Sequence, residues 1–274
     1  MILLILTGLL LVLMVAVGGE RGAASFGLLA CSVLLCGLGA ALLSLGVNPY
    51  AILAVGCVLF LILTVPVQNG LNRKTAAALA SSAAVLIPAA GIIAAVCAGA
   101  HLAGLDEFQA SLMENSYLSS GVTLNVGALM LLSLTFAELG AIVDTAMTVA
   151  TSLHEIRANN PSFGQKELRR TGMQVGGDII GTTINTLVFI AFGETAMLCL
   201  LYISDGYSLT VMLNSKSFFQ QFGGILFSCV SCLAVIPLTV ESYCRLAGSA
   251  KADAFFAKAE ERKRRAEEKN QKEQ

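Results

Sequence analysis

Tryptophan is absent from this 274-residue chain, histidine occurs twice, and charged residues make up only 13% of it. Soluble domains carry about 25% charged residues, so a soluble globular fold is excluded. With only His101 and His154 present, a His-rich metal site is excluded too, and no metal or cofactor is expected. Any aromatic belt at a membrane surface must use Tyr and Phe. No basic residues precede the first apolar run, which argues against a cleaved secretory signal, so Ile2 to Val17 reads as a retained first span. The catalytic signatures are missing as well. No nucleophile–His pair, H-E-x-x-H or phosphate-binding loop is visible, and His154 has no evident partner, so the chain is not expected to be an enzyme.

What the chain has is apolar length: 56% hydrophobic residues and a mean hydropathy of +0.77. A hydrocarbon core of about 30 Å needs about 20 apolar residues per helix. The expected fold is therefore an all-α polytopic transmembrane helical bundle of about seven spans, near 2–18, 26–46, 50–67, 76–99, 122–147, 173–203 and 218–246. Residues 1–248 form the membrane domain and 249–274 a charged tail. The distribution of Lys and Arg sets the orientation. With the N-terminus outside, Arg21, Arg73, Lys74, Arg157, Lys166, Arg169, Arg170 and the basic residues from Arg245 onward all lie inside, leaving Lys216 alone outside. This predicts N-out and C-in, in a cell membrane, with a cytoplasmic C-terminal helix.

Eight cysteines are scattered through apolar segments, where a thiol behaves as a small hydrophobe. Cys229 and Cys232 form a C-x-x-C without a neighbouring His, so a helix contact is expected rather than redox or metal work. The fourth span is rich in Ala and Gly, and Gly177-x-x-x-Gly181 in the sixth offers the same close approach of helix backbones. Pro66, Pro88 and Pro237 lie in or at the ends of spans, where kinks are expected. Gly172 to Ser204 is long for one crossing. Either the helix breaks, kinks or re-enters at Gly193–Glu194, or it is one long tilted helix with Glu194 near the outer interface.

Two acids stand inside apolar runs. Asp144 shares a 3.6-residue stripe with Thr148, Thr151 and Glu155, and Asp178 shares one with Thr182, Asn185 and Phe189, with Thr186 alongside. Intramembrane carboxylates are costly and usually face a protein interior or a water-filled path. If the two helices are antiparallel neighbours, Asp144 falls level with Asn185, and Asp178 level with Thr148 and Thr151. Each acid would then meet an uncharged donor. Such a stripe is either a route for a proton or hard cation, or a hydrogen-bond network that fixes packing. Glu138 lies on a different stripe, with Thr145 and Ser152, and lines a second face of the cavity or snorkels outward. Glu241 reads as the interfacial partner of Arg245.

The segments G-A-I-V-D-T-A-M-T-V-A-T-S-L-H-E-I, N-N-P with E-L-R-R-T-G, G-x-D-I-I-G-T-T-I-N-T-L-V-F, M-L-N-S-K and V-I-P-L-T carry a resemblance. So do the early loops V-G-G-E-R-G and N-G-L-N-R-K-T. Together they resemble the YibE/F family of bacterial multi-spanning membrane proteins, across nearly the whole chain except the tail. The likeness is to the shorter kind of member, without a large extracytoplasmic domain. It implies a bacterial inner-membrane protein and a hetero-oligomer with a longer relative. Asp144, Asp178, Gly181, Thr182, Asn185 and Thr186 map onto the family motifs; Glu138 and Glu194 are not carried over.

The tail pairs Glu260 with Arg264 and Glu261 with Arg265 at i,i+4 and reads as a solvated helix, with Phe255 and Phe256 able to touch the bilayer. Its acids offset its bases, so nucleic-acid binding is not expected. After Asn159-Asn160-Pro161 a turn and a short amphipathic helix, Gln165 to Arg170, are expected. Two functions follow from this reading. One is a permease-like transporter of a small solute or ion that uses Asp144 and Asp178, with Glu138 and Glu194 near its path. The other is a non-catalytic membrane subunit of a hetero-oligomeric complex whose polar stripe is structural.

Overall fold

The structure is a computed structural model and describes residues 1–99 and 126–249. The polar segment His101 to Gly121 and the charged tail, with its expected ion pairs and Phe255 and Phe256, lie outside the described residues. Among the described residues all regular structure is helical, and seven helices are long and apolar enough to cross a membrane. The chain divides into two compact units, Met1–Gly70 and Leu71–Gln274.

The first unit is built from α1 (Ile2–Ser44) and α2 (Pro49–Ile62). Gly19 breaks α1 with φ 56° and ψ −136°, a backbone region open to glycine, and so divides it into spans Ile2–Glu20 and Gly22–Ser44. Next to that break, a Cβ on Gly22 would run into the Met14 carbonyl. Asn48 caps α2 by accepting from the Tyr50 N–H, with Pro49 at the first helical position, where its missing N–H costs nothing. The helix continues as a π-helical turn, Leu63–Val67, around Pro66. The Asn69 amide donates to the carbonyls of Thr64 and Val65 at 3.2 and 3.3 Å, satisfying helix-end groups that would otherwise lack donors.

The second unit contains α3 (Arg73–Gly99), α4 (Val126–Asn159), α5 (Gln165–Ser204), the short α6 (Leu209–Leu213) and α7 (Lys216–Phe218), and α8 (Gly224–Ala247). A π-helical turn, Phe219–Gly223, joins α7 to α8. The helices α3, α4 and α8 pack on one another, and α5 lies against α8 and α4. Small residues allow this. The buried face of α3 carries Ala77, Ala78, Ser81, Ser82, Val85, Ala89 and Ile93 at helical spacing, and the facing stripes are Leu139, Ile142, Ala146, Val149 and Leu153 on α4 and Cys232, Val235, Ile236, Thr239 and Tyr243 on α8. Pro88 and Pro237 sit inside helices that continue through them.

Three sequence expectations are corrected here. The sixth span does not break at Gly193–Glu194: α5 is continuous over 40 residues, so the long-helix alternative holds. At 1.5 Å per residue, α4 and α5 reach about 51 and 60 Å, well beyond an apolar slab of about 30 Å. Second, Gln165 to Arg170 is no separate helix but the start of α5, entered from a turn in which Glu167 accepts from the Gly164 N–H at 3.2 Å. Third, Gly177 and Gly181 make no close contact, since a Cβ on either would meet open space. The residues that do so lie one turn earlier on another face. A Cβ on Gly172 would come within 2.7 Å of Leu153 Cδ2, and one on Gly176 would collide with Ile236.

Candidate functional site

Gly172 and Gly176, with Leu168, fix the rotation of α5 about its own axis. On a helix, Asp178 stands well over a right angle around from Gly172 and Gly176, so seating the glycines on α4 and α8 turns the acid outward. On α4 the inward face is Glu138, Ile142, Thr145, Val149 and Leu153, which likewise turns Asp144 away from the core. Asp144, Thr148, Asp178, Thr182, Asn185 and Thr186 are all exposed on the second unit, and Thr151 is half-buried. Among the described residues, neither Asp144 nor Asp178 makes a side-chain hydrogen bond to the opposite helix. Instead the Thr148 hydroxyl donates to the Asp144 carbonyl at 2.8 Å, Thr182 to Ile179 at 2.9 Å and Thr186 to Thr182 at 2.9 Å. With those hydroxyl protons directed into their own helices, the stripe presents mainly acceptors to its surroundings.

Among the described residues, the acid buried inside the second unit is Glu138, 1% exposed. The Ser231 hydroxyl of α8 donates to its Oε1, while its Oε2 is buried without a hydrogen-bond partner. Below this pair Thr145 lies 3.2 Å from the Cys232 sulfur and 2.8 Å from the Ala141 carbonyl, to which the Cys232 thiol also points at 3.5 Å. Further along, Thr239 lies 2.7 Å from Ser81 of α3, beside Ser82, whose hydroxyl is buried and unpartnered. A polar seam therefore runs along the contact of α4, α8 and α3. The C-x-x-C contributes a helix contact, as expected, and all eight cysteines are free thiols.

At the end where α4 meets α5, His154 does have a partner: its Nδ1 lies 3.1 Å from the hydroxyl of the buried Tyr243. Nearby Glu241 pairs with Arg245 at 2.6 Å, as the spacing implied, and also with Arg169 of α5. At the opposite end a cavity of about 380 Å³ opens between α4, α5 and the start of α8. Ser133, Leu134, Glu194, Leu198, Gln220 and Gln221 are among its walls. Glu194 is exposed, as a position near the end of the span implies, and it forms no ion pair or hydrogen bond among the described residues.

Sequence reasoning missed Ser231, Thr239, Ser81 and the two glutamines. For those in the last span the signal was present as small polar residues on one helical face: Ser228, Ser231, Cys232 and Thr239. It was hidden because hydroxyls and thiols pass for apolar residues in a hydropathy reading.

A multi-pass helical membrane protein is what this architecture defines. The model of the YibE/F-like protein family matches residues 6–247, and the chain belongs to that family. No curated protein and no solved structure matches it.

Proposed function

We propose that this protein is a permease-like transporter of a small solute or ion, and that its working carboxylate is Glu138. One observation carries the reading: a carboxyl group enclosed between two membrane helices, with Ser231 on one oxygen and nothing on the other. Burying an acid with half of its acceptor capacity unused costs several kcal/mol relative to an apolar residue. Packing does not need it, since the neighbouring turns of α4 are filled by Leu139 and Ile142. Intramembrane acids of this kind mark ion and proton routes. On the basic-residue count, the glutamate would face the outer half of a bacterial inner membrane, with the C-terminus cytoplasmic.

The test is flux in proteoliposomes loaded with a pH-reporting dye and challenged with a panel of small cations and amines. Glu138→Gln should abolish flux while leaving folded protein in the bilayer. Flux in the variant equal to that of the parent would overturn the reading.

A second reading is favoured by a different observation, the exposure of Asp144 and Asp178 on the second unit. Carboxylates facing lipid are unfavourable, so this face would be covered by another membrane protein. The family resemblance points to a longer relative, with the chain acting as one subunit of a hetero-oligomer. Under that reading Asp144→Asn and Asp178→Asn change co-purification with the relative, and the isolated chain moves no solute.

A further inference from the structure

The cavity between α4, α5 and the start of α8 has features that packing does not account for. Among the described residues its walls hold one ionisable side chain, Glu194, together with the carboxamides of Gln220 and Gln221 and the hydroxyls of Ser133 and Ser217. Leu134, Ala137, Leu198 and Ile225 supply an apolar remainder. Among the described residues, no cationic side chain lines it. Glu194 has no partner among the described residues, and the carbonyl oxygen of Gln221 is buried and unpartnered.

Both glutamines belong to the π-helical turn Phe219–Gly223. Turns of this type cost hydrogen-bond geometry and occur often at functional sites. Immediately after it, Gly224 allows close approach to α4, since a Cβ there would sit 2.7 Å from Leu134 Cδ2. The π turn and the glycine together bring two carboxamides to the cavity wall opposite Glu194.

We infer that this cavity binds a small organic ammonium ion, an alkylamine in its protonated form or a methylated ammonium, with Glu194 as counter-ion and the Gln221 carbonyl oxygen as an acceptor. The chemistry selects this class. An anion would meet a carboxylate and no cation. A neutral apolar molecule would desolvate Glu194 and the amides without compensation. A hard metal ion is ordinarily held by six or more oxygens, several of them carboxylates, and here there is one carboxylate. An ammonium group on a short alkyl stem matches both the acceptors and the apolar walls, and the volume lies within the range of small-molecule sites.

The inference rests on the transporter reading only for its consequence. Leu134 and Glu138 share one face of α4 a single turn apart, about 6 Å along the axis, so an ammonium held in the cavity has Glu138 as the next acid along the helix.

The experiment is isothermal titration of the purified full chain in nanodiscs with n-butylammonium chloride, with sodium butyrate and n-butanol as matched controls. Saturable binding of n-butylammonium alone is expected. Glu194→Gln, a substitution of equal size at an exposed position, should weaken it at least tenfold, and Ala137→Phe, which fills the cavity from α4, should abolish it. Glu138→Gln should stop flux while leaving binding within a few-fold, so failure of the site and failure of the transport reading are distinguishable. Absence of saturable binding, equal binding of butyrate or butanol, or unchanged affinity in Glu194→Gln would each overturn the assignment.

Discussion

Ser231 of α8 donates to the Oε1 of Glu138 of α4, and the glutamate's other carboxylate oxygen is buried with no partner. The relationship ties the two most buried membrane helices of the second unit together through a polar contact. It also leaves one of the two groups incompletely satisfied. A carboxyl group used only for packing would be expected to have both oxygens occupied, because an unfilled buried acceptor costs about 1–3 kcal/mol.

Truncating the donor should therefore harm the fold more than altering the acceptor. Ser231→Ala leaves Glu138 with no partner at all and should destabilise the protein by about 1–3 kcal/mol. Glu138→Gln keeps an oxygen for Ser231 and removes the ionisable group, so its thermal transition in detergent should match or exceed that of the parent. Thermal unfolding of both variants followed by circular dichroism checks the order. A Glu138→Gln protein less stable than Ser231→Ala would mean that the contact is structural.

The glycines of α5 give a paired test of its rotation. Gly176→Ala forces a methyl group into Ile236, and Gly172→Ala presses one against Leu153 and Val240. Each should cost about 1–3 kcal/mol by overpacking. Gly177→Ala and Gly181→Ala meet open space and should be neutral, or stabilising by up to about 1 kcal/mol through helix propensity. Equal behaviour of the two pairs in thermal melts would place the wrong face of α5 against the core.

This contrast also marks how far the fold was legible in the sequence. Seven apolar runs follow from hydropathy, because a bilayer imposes one simple requirement on every span, whereas the extensions of α4 to Asn159 and of α5 back to Gln165 lie beyond the apolar runs and were not read. Asp144 and Asp178 were visible for the same reason, as charges where charge is costly. The rotation of each helix was not legible. Gly172, Gly176, Gly177 and Gly181 all read alike in a sequence, and only the partners Leu153, Val240 and Ile236 show which two are pressed on. Glu138 is visible as an acid on a second stripe, with Thr145 and Ser152, but the sequence leaves open whether it lines the cavity or snorkels outward. The group that completes it, Ser231, is 93 residues away. The cavity was harder still to see, since it depends on a π-helical turn that no local pattern announces.

At the opposite end of the bundle, Glu241 joins α5 to α8 by pairing with Arg169 as well as with Arg245. Both arginines are largely exposed, so the gain is limited to about 0–1 kcal/mol per pair. Glu241→Gln should lower the melting temperature by no more than a few degrees in low salt, and by less in 1 M salt, where screening acts within about 3 Å. A salt-independent loss would show that the glutamate acts through packing. Tyr243→Phe, nearby, removes the hydroxyl that meets His154 and should cost about 0.5–1.5 kcal/mol at either salt concentration.

The outward stripe gives the prediction that separates the two functional readings. Asp144 and Asp178 are exposed on the second unit, and the hydroxyls of Thr148, Thr182 and Thr186 are turned into their own helices. An aspartate at the centre of a lipid-facing helix costs about 2.5–3.5 kcal/mol on insertion scales. For the isolated chain, Asp144→Asn and Asp178→Asn should therefore raise stability in nanodiscs, with the double variant more stable than either single one. If a partner helix supplies donors to the stripe, the same substitutions should lower the stability of the complex and weaken co-purification, because the partner's donors lose a charged acceptor. Measuring both preparations side by side distinguishes the cases. A gain in the isolated chain with a loss in the complex identifies a docking face. A loss in both places the carboxylates in contacts within the chain itself, and the exposed-stripe account would then be wrong.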